Sequence, residues 1–444
     1  MSFTSPVFLF AFLPLTVIVY QLARSTKLKN AVWIAAGLSF YAFGDLRHLP
    51  LLLGSCLLHY GAGRYLMAQK KARRAVLLSC VALDLAVLAF YKVRGALPLG
   101  ISFYTFQAIS YVADTYKNPA DGTKNLREAL QYLTFFPQLA AGPFLKFSAL
   151  RPYLDRRETT WEKNAQGVRR FVCGLCKKVL LSTAAAKLAD AMFSLASIDA
   201  LGAWTGALGY CLQLYFDFSG YSDMALGLGL LFGVQLPENF RHPYCAGSVT
   251  EFWRRWHMTL SGWFRDYVYI PLGGSRKGRA RTVFNKLLVF LATGLWHGTG
   301  WTFVLWGLWH GAFCGAETLL DRNKTLQTHW YGHVYTLLVV IFGFVLFRAE
   351  SLPQALMLLR TMLSGFTPVD ACRLALRNLL TVRTAVWCFV GVLACLPVWE
   401  HAKARFDGSR WFSPALDALT IVGLLLCLMQ LASHSFQPFI YASF

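Results

Sequence analysis

A chain of 444 residues with 56% hydrophobic and only 15% charged residues, against roughly 25% charged in a soluble domain, is a membrane-embedded polypeptide rather than two or three soluble domains. Its formal charge of +21 would suit nucleic acid in a soluble protein. Lys and Arg collect in the cytoplasmic loops of membrane proteins, however, and no basic stretch lies outside the membrane-flanking loops, so nucleic acid is excluded as a partner.

The opening residues, MSFTSPVFLFAFLPLTVIVY, have no basic leader and no small-residue cleavage site, and read as a first spanning helix. Apolar runs near the spanning length of about twenty residues occur at 5–22, 30–45, 49–67, 75–92, 98–116, 129–150, 171–195, 202–234, 284–297, 301–320, 334–348, 384–399 and 414–432. The expected architecture is one all-α polytopic domain, 1–444, with about 10–13 membrane helices, some tilted, re-entrant or interfacial. Arg24, Lys27 and Lys29 follow the first run, and Arg64, Lys70, Lys71, Arg73 and Arg74 follow the third, whereas the loop after the second carries only Arg47. The N-terminus is therefore expected outside, and the basic stretch Lys146 to Lys178 inside. Most of the eleven cysteines lie in apolar runs and act as small hydrophobes. Cys173 and Cys176 have redox-motif spacing, but no strand pattern surrounds them, and they read as part of a helix.

Ionisable groups inside membrane segments are costly and are functional candidates by default. In GISFYTFQAISYVADTY, Gln107 and Asp114 are seven residues apart and share a helix face, beside Ser110 and Tyr111. FFPQLAAGPF places Pro137 and Pro143 around Gly142, the pattern of a broken helix. In LYFDFSGYSDMALG, Asp217 and Asp223 are six apart and lie on different faces of an ideal helix, unless Gly220 breaks it. Each Asp bonds a neighbouring helix or lines a substrate path. The stretch 237–282 mixes Arg, Trp and Tyr with Pro and Gly-Gly breaks. Short amphipathic pieces fit it, and irregular backbone at membrane depth needs burial by protein or a water-lined cavity, the conditions of a site.

The phrase Leu-Trp-His-Gly occurs twice, at His297 and His310. On one continuous helix the thirteen-residue spacing means about 220° of rotation and about 20 Å of rise, so the two could not share a site. Gly298, Thr299 and Gly300 predict a break that leaves His297 at a helix end, while His310 lies within the next helix and reads as packing. Zinc-ligand spacings and a Gly-x-Ser-x-Gly elbow are absent, so no metal is expected. What remains is a histidine able to take a proton from an attacking hydroxyl near neutral pH, in an aromatic setting that shields a thioester from water. A transporter or channel is the competing class, but no internal repeat beyond the doubled phrase supports it.

RWHMTLSGWFRDYVYIPLGG, GLWHGTGWTFVLWGLWHG and PENFRHPY resemble the membrane-bound O-acyltransferases, and most closely their bacterial branch of alginate O-acetyltransferases and teichoic acid D-alanyltransferases. The stretches around Gln107, Pro137 and Asp217 and the terminal QPFIYASF resemble the same branch, so the likeness spans about 100–312 plus the tail, with a catalytic core near 98–320. The resemblance implies a helical bundle around a central tunnel in the bacterial inner membrane, with His297 activating an acceptor hydroxyl and His257 supporting it or orienting the donor carbonyl. It further implies no tightly bound cofactor and an acyl donor, acetyl-CoA, used from the cytoplasm. The acceptor is an exported polysaccharide such as alginate, reached directly or through a periplasmic acetyltransferase partner. The alternatives are peptidoglycan O-acetylation and D-alanyl transfer. Arg254, Arg255, Trp256, Trp296, Asp217, Asp223 and Gln107 are the candidate donor or substrate contacts. Arg241 and Lys277 join the two arginines as ligands for donor phosphates or lipid headgroups.

Overall fold

The computed structural model describes residues 1–69 and 71–433, so Lys70 and the terminal QPFIYASF motif lie outside the described residues. The protein is all-α, with no strand among the described residues. Helices stand at nearly every expected run: Thr26–Asp45, Leu49–Ala68, Arg73–Arg94, Ile101–Lys117, Ala200–Leu231, Arg279–His297, Trp301–Leu319, Trp330–Arg348 and Phe412–Ala432 among them. Only three of the described helices, Arg73–Arg94, Trp330–Arg348 and Phe412–Ala432, are by themselves long and apolar enough to cross a membrane, and the bent pair Asp370–Leu379 and Val382–Ala394 adds a fourth. The other expected runs are diluted by Trp, Tyr and small residues or are interrupted. The run 129–150, for example, folds as Leu126–Leu133, Phe136–Leu139 and Phe147–Asp155, broken where Pro137 and Pro143 predict.

The chain divides into two compact units: Met1–Gly174 with Tyr221–Glu238, and Leu175–Gly220 with the described residues from Asn239 on. The first is centred on packed aromatic rings. Phe3 lies 5.0 Å from Phe8, Phe40 lies 5.5 Å from Phe136, and Phe136 lies 5.4 Å from Phe232 between ring centres, within the range for favourable aromatic pairs.

The first unit also holds an ionisable pair between the helices Leu49–Ala68 and Arg73–Arg94. His59 Nε2 lies 2.9 Å from the Asp84 carboxylate, and Nδ1 lies 2.7 Å from the Ser55 carbonyl. A carbonyl only accepts, so Nδ1 carries hydrogen and Nε2 is the nitrogen that faces the carboxylate. The imidazole thus gives Asp84 a polar partner within the apolar helix Arg73–Arg94.

In the second unit the helix Trp330–Arg348 is far more enclosed than the other two long apolar helices: 56% of its apolar window is buried, against 17% and 11% for Arg73–Arg94 and Phe412–Ala432. It forms the wall of the site described next.

Candidate active site

The stretch 237–282 folds as the short pieces Val249–Arg255, Met258–Phe264 and the wide turn Arg265–Tyr269. The first piece starts on a buried carboxylate. Glu317 accepts the amide N–H groups of Val249 at 2.7 Å and Thr250 at 2.9 Å, which places negative charge at a helix N-terminus. His257 joins the two helical pieces in the left-handed conformation, φ +42°. Non-glycine residues seldom adopt it, and it costs of order 1–3 kcal/mol, so the surrounding contacts hold the imidazole in place.

Those contacts centre on Asn239. Its Oδ1 accepts the Thr259 amide at 3.2 Å and the Thr259 hydroxyl at 3.0 Å, and His257 Nδ1 lies 3.2 Å away. Because a backbone N–H faces it, that side-chain atom is the oxygen. Nδ1 of His257 is therefore the protonated nitrogen, and Nε2 is the basic one. The ring is 2% exposed and packs edge-on against Phe218 at 4.5 Å.

His297 is the last residue of Arg279–His297, and the next helix starts at Trp301, so the break falls at Gly298–Gly300 as predicted. The two helices pack backbone to backbone. A Cβ on Gly294 would stand 2.4 Å from the Phe303 carbonyl oxygen, and one on Gly307 2.4 Å from that of Phe290. The His297 ring is enclosed by Trp296 at 4.7 Å, Trp306 at 5.2 Å and Phe347 at 5.0 Å.

His310 also packs against Trp306, 5.3 Å from that ring and 5.1 Å from Trp253. It is fully buried, and neither ring nitrogen has a hydrogen-bond partner among the described residues. A Cβ on Gly343 would come 2.4 Å from its Nε2, so the helix Trp330–Arg348 seals it. The doubled phrase thus brings both histidines against one tryptophan.

One face of that same helix serves all three histidine neighbourhoods. Gly343 lies on His310, Phe344 lies 5.3 Å from Trp256 beside His257, and Phe347 lies against His297. Positions 343, 344 and 347 share a face because the helix repeats every 3.6 residues. Sequence reasoning treated this run as an apolar span and missed it, together with Asn239 and Trp306. The available signal was the small-aromatic pattern Gly343-Phe344-x-x-Phe347.

The remaining candidates fall in several places. Trp256 and Trp296 are buried in the aromatic enclosure. Arg254 is exposed, and Arg255 pairs with Glu251. Ala200–Leu231 runs unbroken through Gly220, so Asp217 and Asp223 do point to different sides. Asp217 forms a fully buried ion pair with Lys178, in the second unit. Asp223 accepts from Arg170 at 2.9 and 2.6 Å, and Arg170 also reaches Glu238 at 2.7 Å, all in the first unit. Gln107, also in the first unit, is buried, and its carbonyl accepts from Tyr132 at 3.4 Å. Among the described residues no three His, Cys, Asp or Glu side chains are grouped to hold a metal ion.

The site thus joins an irregular segment carrying one buried histidine to a helix end carrying another inside an aromatic wall. The family model of the membrane-bound O-acyltransferases matches residues 120–358, which include both histidines. The chain is 36% identical to a probable alginate O-acetylase of Pseudomonas putida over 100% of both chains. It is 36% identical to a peptidoglycan O-acetyltransferase of Helicobacter pylori over 84% of this chain and 81% of the relative. It is 27% identical to a teichoic acid D-alanyltransferase of Bacillus subtilis over 57% and 69%. This chain belongs to the membrane-bound O-acyltransferase family: it is a multi-pass membrane protein and an O-acyltransferase.

Proposed function

We propose that the protein moves an acetyl group from cytoplasmic acetyl-CoA to hydroxyls of an exported polysaccharide, alginate first among them, from the bacterial inner membrane. The full-length likeness to a probable alginate O-acetylase carries this reading. His297 takes the proton of the acceptor hydroxyl as the oxygen attacks the thioester carbonyl. The C–S bond breaks, and the thiolate leaves with a proton returned from the imidazolium. The Trp296, Trp306 and Phe347 rings keep water from the thioester. His257, with its tautomer set by Asn239, presents Nε2 to the donor or supports His297. The attacking hydroxyl belongs either to the polymer itself or to a periplasmic acetyltransferase partner, which then passes the acetyl group from its own hydroxyl to one on the polymer. Asp217 and Asp223, each bound to a cation, hold helices in register. The exposed Arg254 suits the phosphates of the donor.

The test is acetyl-ester content of the exopolysaccharide in a strain lacking its own transferase. Wild-type protein should restore it, and His297→Ala at equal expression should lower transfer by about 10²–10⁴-fold, the usual contribution of a general base. Full activity in that variant would overturn the assignment. Peptidoglycan is the second acceptor to assay, because the peptidoglycan O-acetyltransferase of Helicobacter pylori is as similar in identity over most of this chain.

A further inference from the structure

In the second unit, helices Thr183–Ser194, Val382–Ala394 and Phe412–Ala432 line an open cleft. Lys187, Arg383, Trp387, Gln430, Thr183 and Thr384 are among its lining residues, and no carboxylate lines it among the described residues. Gln430, Thr183 and Thr384 are buried, at 8%, 9% and 6% exposure, so the floor of the cleft is built into the fold, while Lys187 and Arg383 are exposed at its mouth. Among the described residues, Arg383 donates to the neutral Gln430 amide oxygen. Neither Arg383 nor Lys187 makes an ion pair among the described residues. Asp190, one turn beyond Lys187, is taken by Arg348 at 3.0 Å. The cleft also sits at a helix start: Thr381 accepts the Thr384 amide and so caps Val382–Ala394, whose N-terminal end adds partial positive charge.

Two uncompensated cations, a helix N-terminus and buried hydroxyl and amide groups favour an oxyanion. The surroundings indicate where it comes from. Val386, Phe389 and Val390 follow Arg383 along its helix and are exposed, as are Leu425 and Met429 beside Gln430. In a membrane protein those surfaces meet acyl chains, and Trp387 is the residue type that sits at headgroup level. Basic pockets between membrane helices hold anionic headgroups. We propose that this cleft is a binding site for the phosphate-bearing headgroup of an anionic phospholipid, held by Lys187 and Arg383, with the acyl chains lying along Val386 and Phe389.

The purified chain in detergent tests this with dioleoyl phosphatidylglycerol, dioleoyl phosphatidylethanolamine and inorganic phosphate as probes. Thermal unfolding and native mass spectrometry of retained lipid are the readouts. Phosphatidylglycerol should bind and raise the unfolding midpoint, and phosphatidylethanolamine should not. Apparent affinity should fall about fivefold per charge removed in Lys187→Gln and Arg383→Gln, the equivalent of roughly 1 kcal/mol per basic residue. Arg360→Gln, outside the cleft, should leave it unchanged. Equal lipid retention and stabilisation in the double variant and the wild type would overturn the site. Stabilisation by inorganic phosphate with no gain from phosphatidylglycerol would overturn the lipid as its occupant.

Discussion

His257 shows how a residue role is set by its immediate partners. The left-handed backbone turns the ring towards Asn239, and that single oxygen decides which imidazole nitrogen is basic. Asn239 lies eighteen residues upstream, so the phrase Arg-Trp-His suggests the histidine but not its tautomer. His310 presents the opposite case: two buried ring nitrogens with no hydrogen-bond partner among the described residues, enclosed by Gly343, Trp253 and Trp306. Replacing an unsatisfied buried polar group by an apolar one of similar size is neutral or stabilising. His310→Leu is therefore expected to keep or raise the unfolding midpoint and to retain transfer within about tenfold of wild type, far above His297→Ala. A loss equal to that of His297→Ala, measured as acetyl-ester content at matched expression, would place His310 in the chemistry. The Lys178–Asp217 pair makes a third residue-scale case. Removing one partner of a buried ion pair typically costs about 3–5 kcal/mol, whereas replacing both by apolar residues is neutral or better. Asp217→Leu should destabilise strongly, and Lys178→Met with Asp217→Leu should restore both the unfolding midpoint and transfer. A stable but inactive double variant would instead make Asp217 a substrate contact.

At the scale of elements, the apolar runs foretell helix positions well because burial in lipid demands about twenty apolar residues in succession. The breaks at Pro137 and at Gly298–Gly300 are equally legible, since proline and glycine act through local backbone geometry. The role of Trp330–Arg348 is not, because an apolar run does not say which of its faces meets a site. The long helix Ala200–Leu231 adds a testable start. Asp199 Oδ1 accepts the Gly202 amide at 2.9 Å and the Cys372 thiol at 3.3 Å, and its other oxygen accepts the Val369 amide at 3.0 Å. Burial pushes the Asp199 carboxyl upward, but the Val369 and Gly202 amides outweigh it and hold the group below the usual carboxylate range. Its contribution is thus complete above the ordinary carboxylate pKa and is lost as pH falls through the lower folded value. Asp199→Ala is expected to cost about 0.5–2 kcal/mol at neutral pH, as for loss of a helix cap. Unfolding midpoints measured against pH should converge for variant and wild type in acid. A gap independent of pH would show that the carboxylate charge is not what ties the helix start to Val369.

For the whole molecule, composition and the ordering of long motifs already determine a great deal. Low charge with high hydrophobicity dictates residence in a bilayer, the apolar runs dictate helices, and the motifs from PENFRHPY to GLWHG carry the family, which the match over 120–358 bears out. These properties are local or additive along the chain, so they survive in one dimension. Only the tertiary structure decided what each buried polar group bonds to. Asp217 finds Lys178 thirty-nine residues away, Asp223 finds Arg170 across fifty-three, and Asp84 finds His59 across twenty-five. The same holds for the aromatic enclosure of His297, assembled from Trp306 and Phe347 on two later helices. Such partners depend on which helix faces adjoin. That is settled by side-chain packing and close glycine contacts between separate segments, which hydropathy summed along the chain does not record.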